Sequence, residues 1–243
     1  VFAPGEAYLV LGTFTDEVPA VSDYTGQEIY YRSVRDRARD ALTADAYLWR
    51  WDTDWFWCSR AFGVQHPLVR RLWPRRYRRS DVYHRLVGLD HRWHVAARLD
   101  RLRGQPPRER VVQDVEIPLE ETPGFLRWFA DHVPMSPVWL CPVRLRSDRP
   151  WPLYPMSPDR TYVNVGFWGT VPVAPGARDG DVNRAVERAV ADAGGHKSLY
   201  SDAYYDLETF DRLYGGEAYR SARRRYDPSG RLTDLYDKAV GRR

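Results

Sequence analysis

The chain has 243 residues, 43% hydrophobic and 29% charged, a balance that excludes a disordered segment and fits one large or two small folded domains. Its net charge of +4 is mild for a nucleic-acid binder. Only Lys197 and Lys238 are lysines, so the positive charge is almost all arginine, a habit of GC-rich coding before it is a binding signature.

Two cysteines, Cys58 and Cys141, are too few for a disulfide framework. No stretch reaches the roughly 18 apolar residues of a membrane helix, and no signal peptide is recognised, so the expected location is cytoplasmic. Ten tryptophans and an aromatic content of 14% exceed what a core of this size needs and point to flat surfaces for a ligand or partner.

In chain order, "EAYLVLGTFT" at residues 6–15 is β-rich and predicts a strand, and "QEIYYRSV" predicts a second short one. Because the chain opens on this apolar run without an initiator methionine, it reads as a fragment. Residues 41–104 form an inserted, mostly helical, aromatic-rich subregion. There "HPLVRRLWP" carries a short helix cut by Pro74, and Ser80 reads as the N-cap of a long helix with Leu86, Leu89, Trp93, Ala96 and Leu99 on one face. His84, His91 and His94 share the spacing of a metal face. No cysteine or carboxylate cluster completes it, so the expectation is an exposed helix face and no metal.

The remainder is more regular: "RVVQDVEIP" (strand), "LEETPGFLRWFADHV" (helix), "PVWLCPVRLR" and "TYVNVGFWG" (strands), "DVNRAVERAVADAG" (helix), "KSLYSDAYY" (strand), then C-terminal helices. The order β-α-β-β-α-β predicts an α+β fold, an antiparallel sheet with both helices on one face, the ferredoxin-like split βαβ unit. Alternation sorts the side chains. Val111, Val115 and Ile117 share a face with Gln113, an imperfect apolar parity, while Val112, Asp114 and Glu116 share the other. Val163, Val165 and Phe167 point to the core; Tyr162, Asn164 and Gly166, with Trp168 beyond them, point to the open face. That open face is polar and aromatic, a surface for a ligand.

The segments "RVVQDVEIPLEE", "PVWLCPVRLR", "TYVNVGFWG" and "HKSLYSDAYYDLETFDRLYGGEAYRSARRRYDP", with "GEAYLVLGTFTDE" and "YLWRWDTDWFWCSRAFG" before them, resemble in order and spacing the C-terminal half of the delta(24)-sterol reductase (seladin-like) flavoproteins of the vanillyl-alcohol-oxidase class. The resemblance implies that residues 1–243 are the substrate-binding cap of an FAD-dependent oxidoreductase. FAD would be held mainly by an N-terminal domain of the same polypeptide, absent here, since no glycine-rich pyrophosphate turn or flavin-linking histidine loop is found. It also implies that this chain alone is inactive, that the substrate is sterol- or isoprenoid-like, its double bond or alcohol changed by hydride transfer through flavin, and that the electron partner is one of NADPH, oxygen or a quinone. More distantly the chain resembles decaprenylphosphoryl-ribose oxidase, whose strand before the "ETF" helix presents a lysine to flavin; that position falls on Ser201, a departure, followed by Asp202.

On this basis Asp114 and Asp202 are the candidate acids, Tyr162, Asn164, Trp139 and Tyr200 the substrate-binding shell, and Ser201, Asp202 and Tyr204 the residues nearest the flavin. Each has a plainer reading. Asp114 could pair with an arginine, Asp202 could cap the following helix, and the tyrosines could pack the helix-sheet seam. "RRLWPRRYRR" mixes arginine with aromatics; its first reading is a plain solvated face, and after that a weak contact with a membrane surface ahead of nucleic acid. The expected partners are therefore a small hydrophobic substrate, the FAD domain, a membrane surface and a second copy in a homodimer. A non-catalytic lipid- or protein-binding module using the same open face is the alternative function.

Overall fold

The computed structural model describes residues 3, 5–18, 20–26, 28–149 and 151–240, with the backbone alone at 55–58 and 91. It divides into two units: Ala7–Gln105, and the residues up to Glu6 together with those from Pro106 onward.

Residues 7–15, read as a strand, join no ladder, and Leu9, Leu11 and Phe14 are 81%, 85% and 98% exposed. Strand propensity is a preference for packing beside another strand, and the described residues of this chain offer this segment none. The second expected strand is instead helix α1 (Tyr30–Asp36). One helical turn buries Tyr31 and sets Tyr30 edge-on to both Tyr24 and Trp51, with ring centroids 5.2 and 5.1 Å away.

Helices α2 (Ala44–Trp49), α3 (Cys58–Ala61) and α4 (Pro67–Leu72) follow, with tight turns at Asp52–Trp57 and Arg75–Tyr77. The long helix is two: α5 (Ser80–Trp93) and α6 (Val95–Leu102), broken at His94, whose φ of 49° is left-handed. Ser80 is not the cap. It is the first helical residue, and its backbone N–H, like its hydroxyl, donates to Asp52 Oδ1, so a carboxylate 28 residues upstream takes the role. The apolar stripe reaches inward at Tyr83 and Val87, which pack on Val64, Phe62 and Trp73, while Leu89, Trp93 and Leu99 face solvent. The side chains of Cys58 and His91 lie outside the described residues.

The second unit holds β1 (Arg108–Pro118), α7 (Thr122–His132), β2 (Trp139–Val143), β3 (Tyr162–Pro172), α8 (Asp181–Asp192) and β4 (His196–Lys197), then α9 (Leu207–Leu213), α10 (Gly216–Tyr226) and α11 (Leu235–Ala239). Every pairing is antiparallel and the sheet order is β2-β3-β1-β4, the split βαβ arrangement expected. Val111, Val115, Ile117, Val163, Val165 and Phe167 are buried under Phe125 and Phe129 of α7 and Val186 and Val190 of α8. Each such side chain contributes about 1.5–3 kcal/mol of burial. Pro142 is tolerated because β2 is an edge strand.

The imperfect parity of β1 has a physical reason. Gln113 is fully buried on the helix face because its amide donates to Asn183 Oδ1 on α8. Glu109, also buried there, accepts from the N–H groups of Val182 and Asn183 at 3.2 and 2.8 Å and so caps the start of α8.

The last strand is shorter than expected and begins one residue earlier, at His196; residues 198–206 are irregular. Tyr205, Phe210, Tyr214 and Ala239 close a small core of their own around Ala203. Among the described residues no helix is long and apolar enough to cross a membrane, and no three His, Cys, Asp or Glu side chains stand together as a metal site.

Candidate functional site

The sheet register decides which side chains meet on the face away from α7 and α8. Asp114 stands opposite Gly166, Glu116 lies between Asn164 and His196, and Trp139 of β2 stands across Gly166 from the other side. Gly166 is required by this crowding: a Cβ on it would lie 2.5 Å from Asp114 Oδ1 and 2.6 Å from Trp168 Cη2. The missing side chain leaves room for a carboxyl group and an indole ring.

Two groups of interactions result. At one end Glu116 Oε1 accepts from Asn164 Nδ2 at 2.9 Å and from Ser198 Oγ at 3.0 Å, and Ser198 is 3.1 Å from the Tyr154 hydroxyl. His196 Nε2 lies 3.4 Å from Glu116 Oε2 without a hydrogen bond forming, and the rings of Tyr154 and Tyr162 stand edge-on to the imidazole at 4.8 and 5.9 Å. Glu116, His196 and Tyr162 are buried there beneath the segment that carries Tyr154. At the other end the face is open: Trp139 is 48% and Tyr200 56% exposed, the Trp168 indole donates to the Tyr200 hydroxyl at 2.9 Å, and Trp139 and Trp168 are 6.0 Å apart.

Burial governs the charges. It pushes the pKa of Asp114 up, with a hydrogen bond from Tyr200 opposing it, and that of Glu116 up, opposed by bonds from Asn164, Tyr154 and Ser198. The negative charge of Asp114 adds to the rise at Glu116. Burial also lowers the pKa of His196 to about 4, so the imidazole is neutral near pH 7. Asp114 Oδ1, Glu116 Oε2, His196 Nε2 and Ser201 Oγ are buried without a hydrogen-bond partner. In a folded protein most such atoms are satisfied, and a concentration of unsatisfied ones marks a place for polar groups of a ligand or water.

The residues expected at a site divide. Asp114, Asn164, Tyr162, Trp139 and Tyr200 come together on this face. Tyr162 is only 3% exposed, its hydroxyl accepting from the Ser157 N–H, so it supports the site from below. Asp202 and Tyr204 do not join them. The Asp202 carboxylate is exposed, 3.8 Å from Arg110 Nη2, and it does not cap the next helix; Asp206 does, accepting from Thr209 N at 2.8 Å. Tyr204 lies against α8, its N–H on the Glu187 carboxylate and its ring 5.0 Å from the Arg184 guanidinium. Glu116, His196, Tyr154 and Ser198 are additional members. Glu116 was visible as an acid on the open face, whereas placing His196 beside it required the strand to begin one residue earlier than "KSLYSDAYY".

On the helix side Lys197, fully buried, donates through Nζ to Glu187 Oε1 at 3.0 Å and to the Asp202 carbonyl. Because Glu187 also accepts from Tyr204, this ion pair ties β4, α8 and the irregular segment 198–206 into one piece beneath Tyr200 and Ser201.

Comparison with known proteins finds the same relatives that the motifs indicate. The delta(24)-sterol reductase of Rattus norvegicus is 28% identical over 140 residues, 57% of this chain and 27% of that protein. The Homo sapiens delta(24)-sterol reductase is 27% identical over the same length and shares. The Arabidopsis thaliana delta(24)-sterol reductase is 26% identical over 149 residues, 53% of this chain and 26% of that protein. The match thus spans about a quarter of the length of these curated relatives. No family model matches the chain, and no solved structure matches it.

Proposed function

We propose that this chain is the substrate-binding cap of an FAD-dependent oxidoreductase acting on a double bond or alcohol of a sterol- or isoprenoid-like substrate. The observation that carries the reading is a pair of carboxyl groups, half-buried Asp114 and buried Glu116, each with a buried oxygen that has no hydrogen-bond partner, on a sheet face shared with Trp139, Trp168 and Tyr200. The likeness to delta(24)-sterol reductases supports it.

The residues present fit a planar conjugated ring and a hydrophobic substrate. Trp139 and Tyr200 offer exposed aromatic faces, and the unpartnered hydroxyl of Ser201 lies next to Tyr200 in the chain. Tyr200 and Ser201 are the residues that would face the flavin, which when bound supplies the hydride acceptor or donor; the greater part of the FAD, and NADPH as its reductant, would be held outside this chain.

The chain's own part is placement and proton handling. Burial favours the protonated form of Asp114 at Oδ1, so this carboxyl group can donate a proton to a substrate carbon or oxygen and take it back in the reverse direction. Glu116, two residues further along the strand, is held in place by Asn164 and Ser198; burial and the charge of Asp114 raise its pKa as well, and the neutral His196 beside it supplies no opposing positive charge. Trp139 and Trp168, their rings 6.0 Å apart at the open end, offer apolar surface to the substrate.

The test is a titration of the chain with a Δ24 sterol followed by tryptophan fluorescence, beside the visible spectrum of the gene's full product. Expected are quenching of the indoles, flavin bands in the full product, and a fall in its turnover of about 10²–10⁴-fold for Asp114→Asn with sterol binding little changed. Sterol binding with no flavin in a full product supplied with FAD would make the chain a lipid-binding module; no binding would remove both readings.

A further inference from the structure

The unit Ala7–Gln105 carries a second surface that the proposed reaction does not use. Residues 67–80, "PLVRRLWPRRYRRS", hold six arginines and no acidic residue. The ridge they form is rigid from within. Arg78 is 8% exposed and donates to the carbonyls of Gly26, Trp73 and Arg70, and the Trp73 indole donates to the Tyr77 carbonyl at 3.1 Å. With Arg78 spent on the scaffold, Arg75, Arg76 and Arg79 are exposed.

Two concavities draw on this ridge, and their linings do not overlap. One, of about 450 Å³, is lined by Arg75, Arg76 and Arg79 with Trp49, Asp52 and Thr25. Three arginines face its one carboxylate, Asp52, and Arg79 is also paired with Asp81 at 3.2 Å, so the lining keeps a net positive charge carried mainly by Arg75 and Arg76. The other, of about 410 Å³, is lined by Val69, Leu72, Trp73, Tyr77, Val82 and Leu86. Beside it Leu72 is 82% and Leu68 66% exposed, and the Arg76 guanidinium sits 4.7 Å from the Tyr77 ring centroid.

We propose that this ridge docks on an anionic phospholipid surface, the lipid phosphates entering the cavity of Arg75, Arg76 and Arg79 and the leucines entering the acyl boundary. Guanidinium forks match phosphate oxygens bidentately, which accounts for the charged half. Nucleic acid would use that half alone and leave Leu68 and Leu72 in water. An interfacial membrane contact needs both halves on one element: an arginine rim beside protruding leucines and tyrosine.

Co-sedimentation of the 243-residue chain with vesicles of phosphatidylcholine, with and without 30% phosphatidylglycerol, tests this. Binding is expected to the anionic vesicles, to weaken steeply as salt rises, and to be nearly absent on phosphatidylcholine alone. Each arginine near an anionic surface is worth about fivefold, so Arg75→Gln/Arg76→Gln/Arg79→Gln should lower the partition coefficient on the order of a hundredfold. Leu68→Ser/Leu72→Ser should weaken binding at least tenfold with every charge retained. A triple change elsewhere, Arg178→Gln/Arg188→Gln/Arg225→Gln, should leave it within about threefold. Equal binding to neutral vesicles, an equal loss from the control variant, or no loss from the leucine variant overturns the proposal. Saturable binding of inorganic pyrophosphate that displaces the chain from vesicles at matched ionic strength also overturns it, in favour of a soluble phosphate ester. The salt dependence is read on the unaltered chain and does not rely on any variant folding.

Discussion

Gly166 stands directly opposite Asp114 in the β1–β3 ladder, so close that a methyl group on it would lie 2.5 Å from Asp114 Oδ1. The glycine here is a matter of space, not of an unusual backbone angle, and Gly166→Ala should displace both the carboxyl group and the Trp168 ring. Overpacking of this kind costs about 1–3 kcal/mol, to be read from urea unfolding. Adding Asp114→Ala should return only part of that loss, because Trp168 Cη2 would still be 2.6 Å from the new carbon. Full recovery, or no cost to begin with, would show that the carboxyl group is not held against this glycine.

His196 supplies a stability prediction with a definite sign. Its folded pKa of about 4 lies below the ordinary value of 6.5, so its contribution is fully present above pH 6.5 and is lost as pH falls toward 4. Asp114 and Glu116 have raised folded values and act oppositely, contributing most at low pH and losing it as pH rises through those values. The difference in unfolding free energy between the parent chain and His196→Asn should therefore grow from pH 4 to 6.5, by about 3 kcal/mol in total, and be flat above. Urea melts at half-unit pH intervals check this; a difference that does not change with pH would mean the imidazole is not held neutral.

The buried pair of Lys197 and Glu187 should behave as such pairs do when broken from one side. Lys197→Met leaves the Glu187 carboxylate buried without its cation and is expected to cost about 3–5 kcal/mol. Lys197→Met/Glu187→Gln keeps an acceptor for the Tyr204 N–H and removes the charge, so it should recover most of that stability. If the double variant is no better than the single, the lysine acts by filling space rather than by neutralising the glutamate.

The two long strands were legible in the sequence because a sheet covered on one face by helices imposes a period of two. Val163, Val165 and Phe167 announced the core and Asn164 and Gly166 the other side. The exceptions were legible as anomalies but not as interactions: Gln113 broke the pattern, and only Asn183, 70 residues away, shows why. The candidate site was half visible for the same reason. Asp114 and Asn164 follow from strand parity, whereas His196 depends on a two-residue strand whose start a one-residue shift would turn over. Asp202 and Tyr204 were placed by counting from a resemblance through residues 198–206, and irregular backbone does not preserve which way a side chain points. In the other unit, "QEIYYRSV" had strand-like composition, and the burial of Tyr31 in a helix overrode it.

Asp54 gives the last prediction and the one with the widest pH window. It is 1% exposed; Oδ1 accepts from the Ser59 N–H at 3.1 Å and from the Ser59 hydroxyl, and Oδ2 has no partner. Ser59 in turn accepts from Gln65, which also donates to the Tyr31 hydroxyl, so the carboxyl group ends a buried chain joining α1 to α3. Burial raises its pKa to about 7 in spite of the bonds from Ser59. A folded value above the unfolded one of 3.8 means that its contribution is fully present below pH 3.8 and declines as pH rises to about 7, then stays level. Asp54→Asn keeps the acceptor for Ser59 and cannot ionise. Relative to the parent it should gain stability steadily between pH 4 and 7, reaching at most about 4 kcal/mol by pH 8. Asp54→Ala, which strands the Ser59 donors, should be less stable than Asp54→Asn at every pH. The measurement is unfolding followed by tryptophan fluorescence from pH 4 to 8. A parent chain whose stability relative to Asp54→Asn is the same at both ends would mean that the carboxyl group reaches water and ionises in the ordinary range.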